Sequence, residues 1–156
     1  MIRWPERYKP ERTDVHVKNE IEIDAKPEVV WRWLVRAKLW PTWYSNSANV
    51  VIEGGGSDLN AGSSFKWKTF GVNLNSKIEE FAPVERLAWT ARGAGIDAYH
   101  SWLIEPTPSG CRVITEETQL GLLPWLNKAV RPNHMYRKHQ EWLENLKARA
   151  RTGPPT

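Results

Sequence analysis

The middle of the chain is a series of short runs typical of β-strands, separated by connections too short to hold a crossover helix. Gly and Pro punctuate these connections. A parallel crossover needs about a dozen residues or more, usually including a helix, so neighbouring runs must pair antiparallel. The predicted strands are Asn49–Glu53, Ser64–Thr69, Val72–Phe81, Glu85–Arg92, Ile96–Glu105 and Cys111–Gln119.

One further strand and two short helices are predicted before this meander. Residues Asp14–Ile23 alternate apolar and polar side chains, which predicts a half-buried strand, although the polar Asn19 occupies an apolar position of the pattern. Pro27 suits the first turn of a short helix that runs through Val35 and is stopped by Pro41. The segment Trp40–Tyr44 predicts a second brief helical turn.

The C-terminal segment predicts an amphipathic helix of about five turns. Its apolar stripe consists of Met135, His139, Trp142, Leu143, Leu146 and Ala150. A stripe of this length has to be buried against the sheet. We therefore predict an α+β fold in which a curved antiparallel sheet of about seven strands wraps around a long C-terminal helix, with two short helices after strand 1.

A chain of 156 residues fits one domain. We predict an irregular N-terminal arm over residues 1–13, one domain over residues 14–150 and a tail over residues 151–156. The longest apolar stretch, Leu120–Leu126, contains Gly121 and Pro124, so we expect neither a signal peptide nor a membrane span. The single cysteine, Cys111, allows no intrachain disulfide and favours a cytoplasmic location.

The positive charge of the chain is concentrated near its C-terminus. The formal net charge is +4, and residues 124–156 hold seven Lys or Arg side chains against two Glu. A basic helix of this kind can approach phosphate groups, but mixed Lys, Arg and Glu are more typical of a solvated helix face. It also lacks the exposed aromatic residues of a stacking platform, so we expect no nucleic-acid partner.

Four of the ten tryptophans occupy positions that the strand and helix periodicities turn inward: Trp67, Trp89, Trp102 and Trp142. Compact cores are normally filled by Leu, Ile and Val, whereas a buried Trp also needs a partner for its indole N–H. This pattern favours a pocket for a flat or apolar molecule.

His100 and Glu117 are the candidate catalytic pair. Alternation places His100 on the inward face of its strand beside Trp102, and it places Thr115 and Glu117 on the inward face of the next strand. A hairpin between these strands brings His100 opposite or diagonal to Glu117, so the pair can act as an acid and a base. The alternative is a buried histidine that only satisfies its hydrogen bonds.

The same alternation predicts the remaining wall of the pocket. The candidate ligand-binding residues are Phe65, Trp67, Leu74, Ile78, Trp89, Trp102, Thr115, Met135, His139 and Trp142. His139 either reaches the pocket or packs at its margin. We predict no metal site, because His134 and His139 are five residues apart, which is not one helix face, and no paired cysteines are present. We expect no cofactor.

An apolar patch formed by Leu122, Leu123, Trp125 and Leu126 precedes Lys128 and Arg131. One interpretation is a lid over the pocket, or a lip that touches a membrane transiently through Leu122, Leu123 and Trp125. The other is a short helix docked on the domain.

Taken in order, several segments resemble the START-like (SRPBCC) superfamily of helix-grip proteins, in particular its polyketide cyclase/dehydrase and lipid-transport members. The segments are IEIDAKPEVVWRWL (21–34), WPTWY (40–44), AGSSFKWKTFG (61–71), SKIEEFAPVERLAWT (76–90), YHSWLIEP (99–106), GCRVITEE (110–117) and HQEWLENLKARA (139–150). The resemblance implies a largely apolar cavity open at one end. It implies no fixed catalytic set, because the superfamily has no universal active-site motif.

We therefore expect a domain that binds a hydrophobic, aromatic or lipid-like small molecule. In a polyketide cyclase or dehydratase, His100 would donate or accept the proton and Glu117 would orient the His100 ring. Trp67, Trp89 and Trp102 would form the flat walls of the pocket. The alternatives are a lipid carrier without chemistry and a protein-interaction module that resembles the co-chaperone members of the superfamily.

Overall fold

Residues 1–156 are described by a computed structural model, in which seven antiparallel strands form one sheet. The strands are β1 (Val15–Ile23), β2 (Ser47–Ile52), β3 (Ser64–Thr69), β4 (Val72–Ala82), β5 (Arg86–Gly93), β6 (Ile96–Thr107) and β7 (Gly110–Leu120). Their order across the sheet is β1-β7-β6-β5-β4-β3-β2. Successive strands from β2 to β7 pair antiparallel, as the sequence predicts. Short turns are therefore enough to connect them.

Three α-helices complete the fold: α1 (Pro27–Val35), α2 (Leu122–Val130) and α3 (His134–Ala150). A 3-10 helix over Ala37–Thr42 is the second short helix after β1. The predicted α+β helix-grip architecture is confirmed. No helix is both long and apolar enough to cross a membrane.

The hairpin between β6 and β7 is longer than predicted. Pro106 pairs with Cys111 and Thr107 with Gly110, so the predicted turn over Pro106–Gly110 is wrong and only two residues form it. Pro106 fits this position because backbone N–H directions alternate along a strand. Its backbone nitrogen points to the same side as that of Ile104, toward β5. The pairing with β5 stops at Leu103, so Pro106 has no β5 residue beside it and its missing N–H costs no hydrogen bond of the sheet.

Helix α3 lies across the sheet with five of the six residues of its predicted stripe buried, and Met135 is half-buried. His139, Trp142, Leu143, Leu146 and Ala150 are each at most 3% exposed. Contacts with α3 explain why the polar Asn19 of β1 occupies an apolar position of the pattern. It is buried, and its side-chain amide donates to the Tyr136 carbonyl oxygen and to Gln140 Oε1 of α3. A polar residue at an apolar position thus fixes the helix on the sheet.

The 3-10 helix supplies the centre of the aromatic core. Trp40 is fully buried, and its ring lies 5.3–5.9 Å from those of Phe65, Trp67, Trp89 and Trp142. Its indole N–H donates to the Leu34 carbonyl oxygen. The tryptophan of the second short helix therefore packs between the sheet and α3.

The N-terminal arm folds into two 3-10 turns and packs against β6 and β7. The Tyr8 ring stacks on Tyr99 at 5.4 Å, and Trp4 contacts Tyr99 at 5.7 Å. Asp97 accepts hydrogen bonds from the Tyr8 hydroxyl (2.7 Å) and from Arg7 (2.6 Å). The two aromatic residues that interrupt this charged segment attach it to the domain.

The arm gives the fold a pH-sensitive attachment. Burial would raise the pKa of the Asp97 carboxyl, but hydrogen bonds from Tyr8, Arg7 and Arg92 outweigh burial and hold the pKa below its usual range. A carboxyl with a lowered folded-state pKa stabilises the protein above its unfolded pKa, and this contribution disappears as the pH falls through the folded-state pKa.

We expect Asp97→Asn to lower the free energy of unfolding by about 1 kcal/mol at neutral pH. The difference from the unchanged protein should shrink as the pH falls below about 4. Urea unfolding at several pH values measures it. Asp58→Asn is the control, because Asp58 pairs only with Arg36 and its side chain is 42% exposed. A difference that stays constant down to low pH would contradict the assignment.

Candidate functional site

A cavity of about 440 Å³ lies between the sheet and the helices α2 and α3. Apolar side chains form most of its wall, and a small group of polar residues from β6, β7 and α3 lies among them. Volume and lining are those of a small-molecule site, which typically spans about 300–1,000 Å³ with few convergent polar groups.

Eight of the twelve candidate site residues lie on this cavity: Trp67, Leu74, Trp89, His100, Glu117, Met135, His139 and Trp142. The other four, Phe65, Ile78, Trp102 and Thr115, are buried behind the wall. Trp102 stacks on the His100 ring at 5.4 Å, and Phe65 packs against Trp40. Side-chain alternation gives the face on which a residue lies, but it does not say whether the residue reaches the surface of that face.

One part of the wall was missed by the sequence prediction. The turn between β3 and β4 contributes Phe70, whose backbone has a positive φ of 50°, and the adjoining strands contribute Val72 and Ala91. The turn residue Phe70 follows no strand alternation, whereas Val72 and Ala91 share the alternation of Leu74 and Trp89 and are predictable from it. The remaining part of the wall is α2, for which a lid over the pocket is one of the two interpretations of the sequence.

Helix α2 places one side of the apolar patch on the cavity. Leu123, Pro124 and Leu126 line it, although Leu123 and Leu126 are still 45% and 44% exposed. Leu122 and Trp125 do not line it and are 70% and 52% exposed. The Gly121 N–H donates to the Asp14 carboxylate, which ties the start of the helix to the beginning of β1. The patch is therefore a helix that covers the cavity, and membrane contact through Leu122, Leu123 and Trp125 stays a prediction.

Three buried polar side chains meet at the cavity wall: His100 of β6, Glu117 of β7 and His139 of α3, which we call the His–Glu–His cluster. Strand register pairs His100 directly with Glu117. His100 Nδ1 lies 3.1 Å and His139 Nε2 lies 3.2 Å from the same oxygen, Glu117 Oε2. One carboxylate oxygen thus lies between two imidazole rings that stack at 4.9 Å.

The outer atoms of the cluster have different surroundings. His100 Nε2 lies 2.7 Å from the Thr115 hydroxyl, which in turn lies 3.3 Å from the Ser101 carbonyl oxygen. Gln119 donates to Glu117 Oε1. By contrast, His139 Nδ1 is buried and has no hydrogen-bond partner in the protein. Both ring nitrogens of His100 are engaged, so the free ring nitrogen belongs to His139.

The cluster stabilises an ionised carboxylate next to a neutral imidazole. Burial alone would raise the pKa of the Glu117 carboxyl, but the electrostatic attraction of His100 and hydrogen bonds from His100 and His139 hold the pKa well below its usual range. Burial lowers the pKa of His100, and the nearby carboxylate only partly opposes this. We therefore assign a carboxylate anion that accepts N–H bonds from its imidazole neighbours at neutral pH.

The tryptophans near the cluster also carry free hydrogen-bond donors. Trp67 donates its indole N–H to Ser76 Oγ at 3.0 Å. The indole N–H groups of Trp89, Trp102 and Trp142 are buried and have no partner in the protein. Since buried indole N–H groups usually have a partner, these three are exceptions beside the cavity that need an explanation.

A family model described as polyketide cyclase / dehydrase and lipid transport matches residues 14–151. The chain belongs to this family. A hypothetical protein from Helicobacter pylori is 31% identical, with 96% of each chain covered and a TM-score of 0.90. No curated protein matches the sequence significantly.

Two structures of aromatase/cyclases share the fold. The Zhui aromatase/cyclase from Streptomyces sp. R1128 is 12% identical, with 88% of this chain and 93% of that chain covered and a TM-score of 0.74. The di-domain ARO/CYC StfQ of the steffimycin biosynthetic pathway is 16% identical, with 94% of this chain and 54% of that chain covered and a TM-score of 0.72. At such identities the similarity concerns the fold alone, and the resemblance seen in the sequence is confirmed at the level of the family.

Within this family fold, Thr115 is the residue that holds His100 from behind. We expect Thr115→Val to lower the free energy of unfolding by about 1–3 kcal/mol, because valine has nearly the same shape but leaves a buried ring nitrogen without a partner. Chemical denaturation measures this, and ¹⁵N NMR of His100 should report a changed tautomer balance. Thr90→Val is the control, since the Thr90 hydroxyl bonds only to the exposed Glu79. Equal effects of the two variants would rule out this role.

Proposed function

We propose that this protein binds a hydrophobic small molecule with a flat aromatic part in the cavity between the sheet, α2 and α3, within the ligand-binding domain proposed over residues 14–150. The observation that carries the proposal is a cavity of about 440 Å³ whose apolar wall surrounds one buried polar cluster. A filled core would instead favour the interaction module of the co-chaperone type. The cytoplasmic location stays a prediction.

The aromatic wall supports a flat ligand. Trp67, Trp89 and Trp142 all line the cavity, and their rings lie 5.9–6.4 Å from one another. Aromatic side chains favour offset stacking and edge-to-face contacts with another ring, and these contacts add about 0.5–1.5 kcal/mol to simple burial. A flexible aliphatic chain would gain the burial but not these oriented contacts.

The polar cluster supports a ligand with an oxygen at one end. Ring atoms of His139 and the carboxylate of Glu117 lie on a wall that is otherwise mostly apolar, and His139 Nδ1 has no partner in the protein. Because His139 donates its Nε2–H to Glu117, the free Nδ1 is a hydrogen-bond acceptor, so a phenol or other hydroxyl O–H of the ligand that reaches it would be oriented. We therefore propose a ligand with an apolar ring system and a hydroxyl group directed at the cluster.

We further propose chemistry of the polyketide cyclase/dehydrase type, in which His100 and Glu117 handle the proton of the bound ligand. The direct pairing of the two residues and the location of both on the cavity support this role. Ring closure and loss of water both need a proton moved near a carbonyl, and a folded, bound substrate brings its reacting atoms together. Without turnover, the same cavity serves a carrier of hydrophobic molecules.

Ligand binding is tested by filling the cavity. We expect Val72→Trp to weaken binding of a hydroxyanthraquinone probe at least about tenfold, because Val72 lines the cavity and a larger side chain occupies its volume. Quenching of tryptophan fluorescence and native mass spectrometry measure the binding. Val51→Trp is the matched control, because Val51 is 56% exposed and lies outside the cavity. Absence of binding to the unchanged protein across a series of aromatic probes would reject the proposal.

Turnover is tested by replacing the catalytic pair. We expect His100→Asn and Glu117→Gln to slow cyclisation of a linear β-polyketone by about 100-fold or more, since proton transfer in the transition state typically contributes 10²–10⁴-fold. Binding of the aromatic probe should change far less than turnover. Chromatography of the cyclised product measures the rate. Unchanged rates in both variants would exclude the pair as catalysts.

A further inference from the structure

We propose that the His–Glu–His cluster is a binding site for one divalent transition-metal ion of the zinc class. The ligand atoms would be His100 Nδ1, His139 Nε2 and Glu117 Oε2. Ligating atoms of the three residues all lie within 4.8 Å of one another. Two imidazoles and one carboxylate are the donor set of a common class of catalytic zinc site.

The distances within the cluster match coordination to a common ion. Zinc lies about 2.0–2.2 Å from imidazole nitrogen and carboxylate oxygen, so two adjacent ligands of one ion are about 3.0–3.5 Å apart. The two measured separations from Glu117 Oε2 are 3.1 Å and 3.2 Å. Both imidazoles approach the same carboxylate oxygen, whereas the other oxygen accepts the Gln119 amide. The three donors therefore converge on one region.

The surroundings of His100 suit a metal ligand. A metal-bound histidine usually donates its second ring N–H to a nearby acceptor, which fixes the tautomer and the ring orientation. With Nδ1 on the ion, His100 Nε2–H points at the Thr115 hydroxyl oxygen 2.7 Å away. That hydroxyl then donates its own proton to the Ser101 carbonyl oxygen at 3.3 Å. The chain of acceptors needed for a metal-bound imidazole is present at His100, whereas His139 Nδ1 has no partner in the protein.

Burial and charge also favour a cation. The cluster residues are at most 7% exposed and come from β6, β7 and α3, so three packed elements hold the donors in place. The Glu117 carboxylate is held away from water, and a divalent cation offsets its negative charge. The mixed nitrogen and oxygen donors favour zinc, iron or cobalt over magnesium or calcium, which prefer oxygen ligands.

Three protein ligands leave at least one coordination position open, and all three residues line the cavity. The open position therefore faces the space where a small molecule would lie. An oxygen of that molecule would be polarised by the ion, and this consequence alone rests on the proposed function. Metal binding itself follows from the cluster and does not depend on which organic ligand the cavity takes.

The test measures metal binding by the full chain. We expect elemental analysis and zinc titration calorimetry to give one equivalent of Zn²⁺, and Co²⁺ to give a visible absorption spectrum characteristic of nitrogen and oxygen ligands. Glu117→Gln and His139→Gln should each weaken Zn²⁺ binding at least about 100-fold, and Thr115→Val should weaken it about tenfold. Circular dichroism establishes that the variants remain folded.

Two other histidines serve as matched controls. His134 lies on the same helix as His139, and His16 pairs with Glu116 outside the cavity. His134→Gln and His16→Gln should leave Zn²⁺ affinity unchanged. Failure of the unchanged protein to bind Zn²⁺, Co²⁺ or Fe²⁺ would overturn the proposal and leave a hydrogen-bonded cluster. So would equal losses of affinity in the control variants.

The Val72→Trp variant separates this inference from the proposed function. It should lose the aromatic probe while retaining one equivalent of Zn²⁺, because Val72 is not part of the cluster. Probe binding by a protein that takes up no metal would overturn only the metal site. Metal binding with no binding of any aromatic probe would overturn only the proposed function.

Discussion

The packing of Trp142 against the sheet is the contact on which the rest of the structure depends. Its ring stacks on Tyr44 at 4.4 Å and lies 5.0–5.3 Å from Trp102 and Trp40. Trp142 is fixed between the 3-10 helix after α1 and the middle strands, so it sets both the position and the rotation of α3. His139 lies three residues earlier on the same buried stripe, and its approach to Glu117 follows from this packing.

Much of the fold is predictable because its determinants are local. The alternation in β1 and the short connections between strands need only neighbouring residues, and they predict the antiparallel sheet and its faces. Asn19 is an instructive exception, since a polar residue at an apolar position points to a specific partner, yet the partner carbonyl of Tyr136 belongs to a distant helix. The hairpin at Pro106 shows the reverse error, because a turn-forming residue lies within a strand wherever its missing N–H costs nothing.

Only the part of the site that depends on local pairing is predictable from the sequence. Cross-strand pairing predicts that His100 and Glu117 meet, because both strands belong to one hairpin. The approach of His139 depends on how α3 lies on the sheet, and no spacing within the chain expresses it. A search for metal ligands along one helix or one motif therefore considers His134 with His139 and overlooks the cluster. Trp102 likewise lies behind the cavity wall. Whether a residue on the inward face reaches the cavity depends on the size of the side chains around it, which alternation does not give.

The cluster also shows why ligand binding and metal binding are separable in this fold. The aromatic wall comes from β3, β5 and α3, and its contribution depends on shape and apolar area. The donors on His100, Glu117 and His139 depend on orientation. Thr115 fixes His100 from behind the wall, and Gln119, on the wall itself, fixes Glu117. A change in the wall therefore alters which molecule fits without moving the donors. A change behind His100 alters the donors without altering the volume, so each property can be changed while the other is held constant.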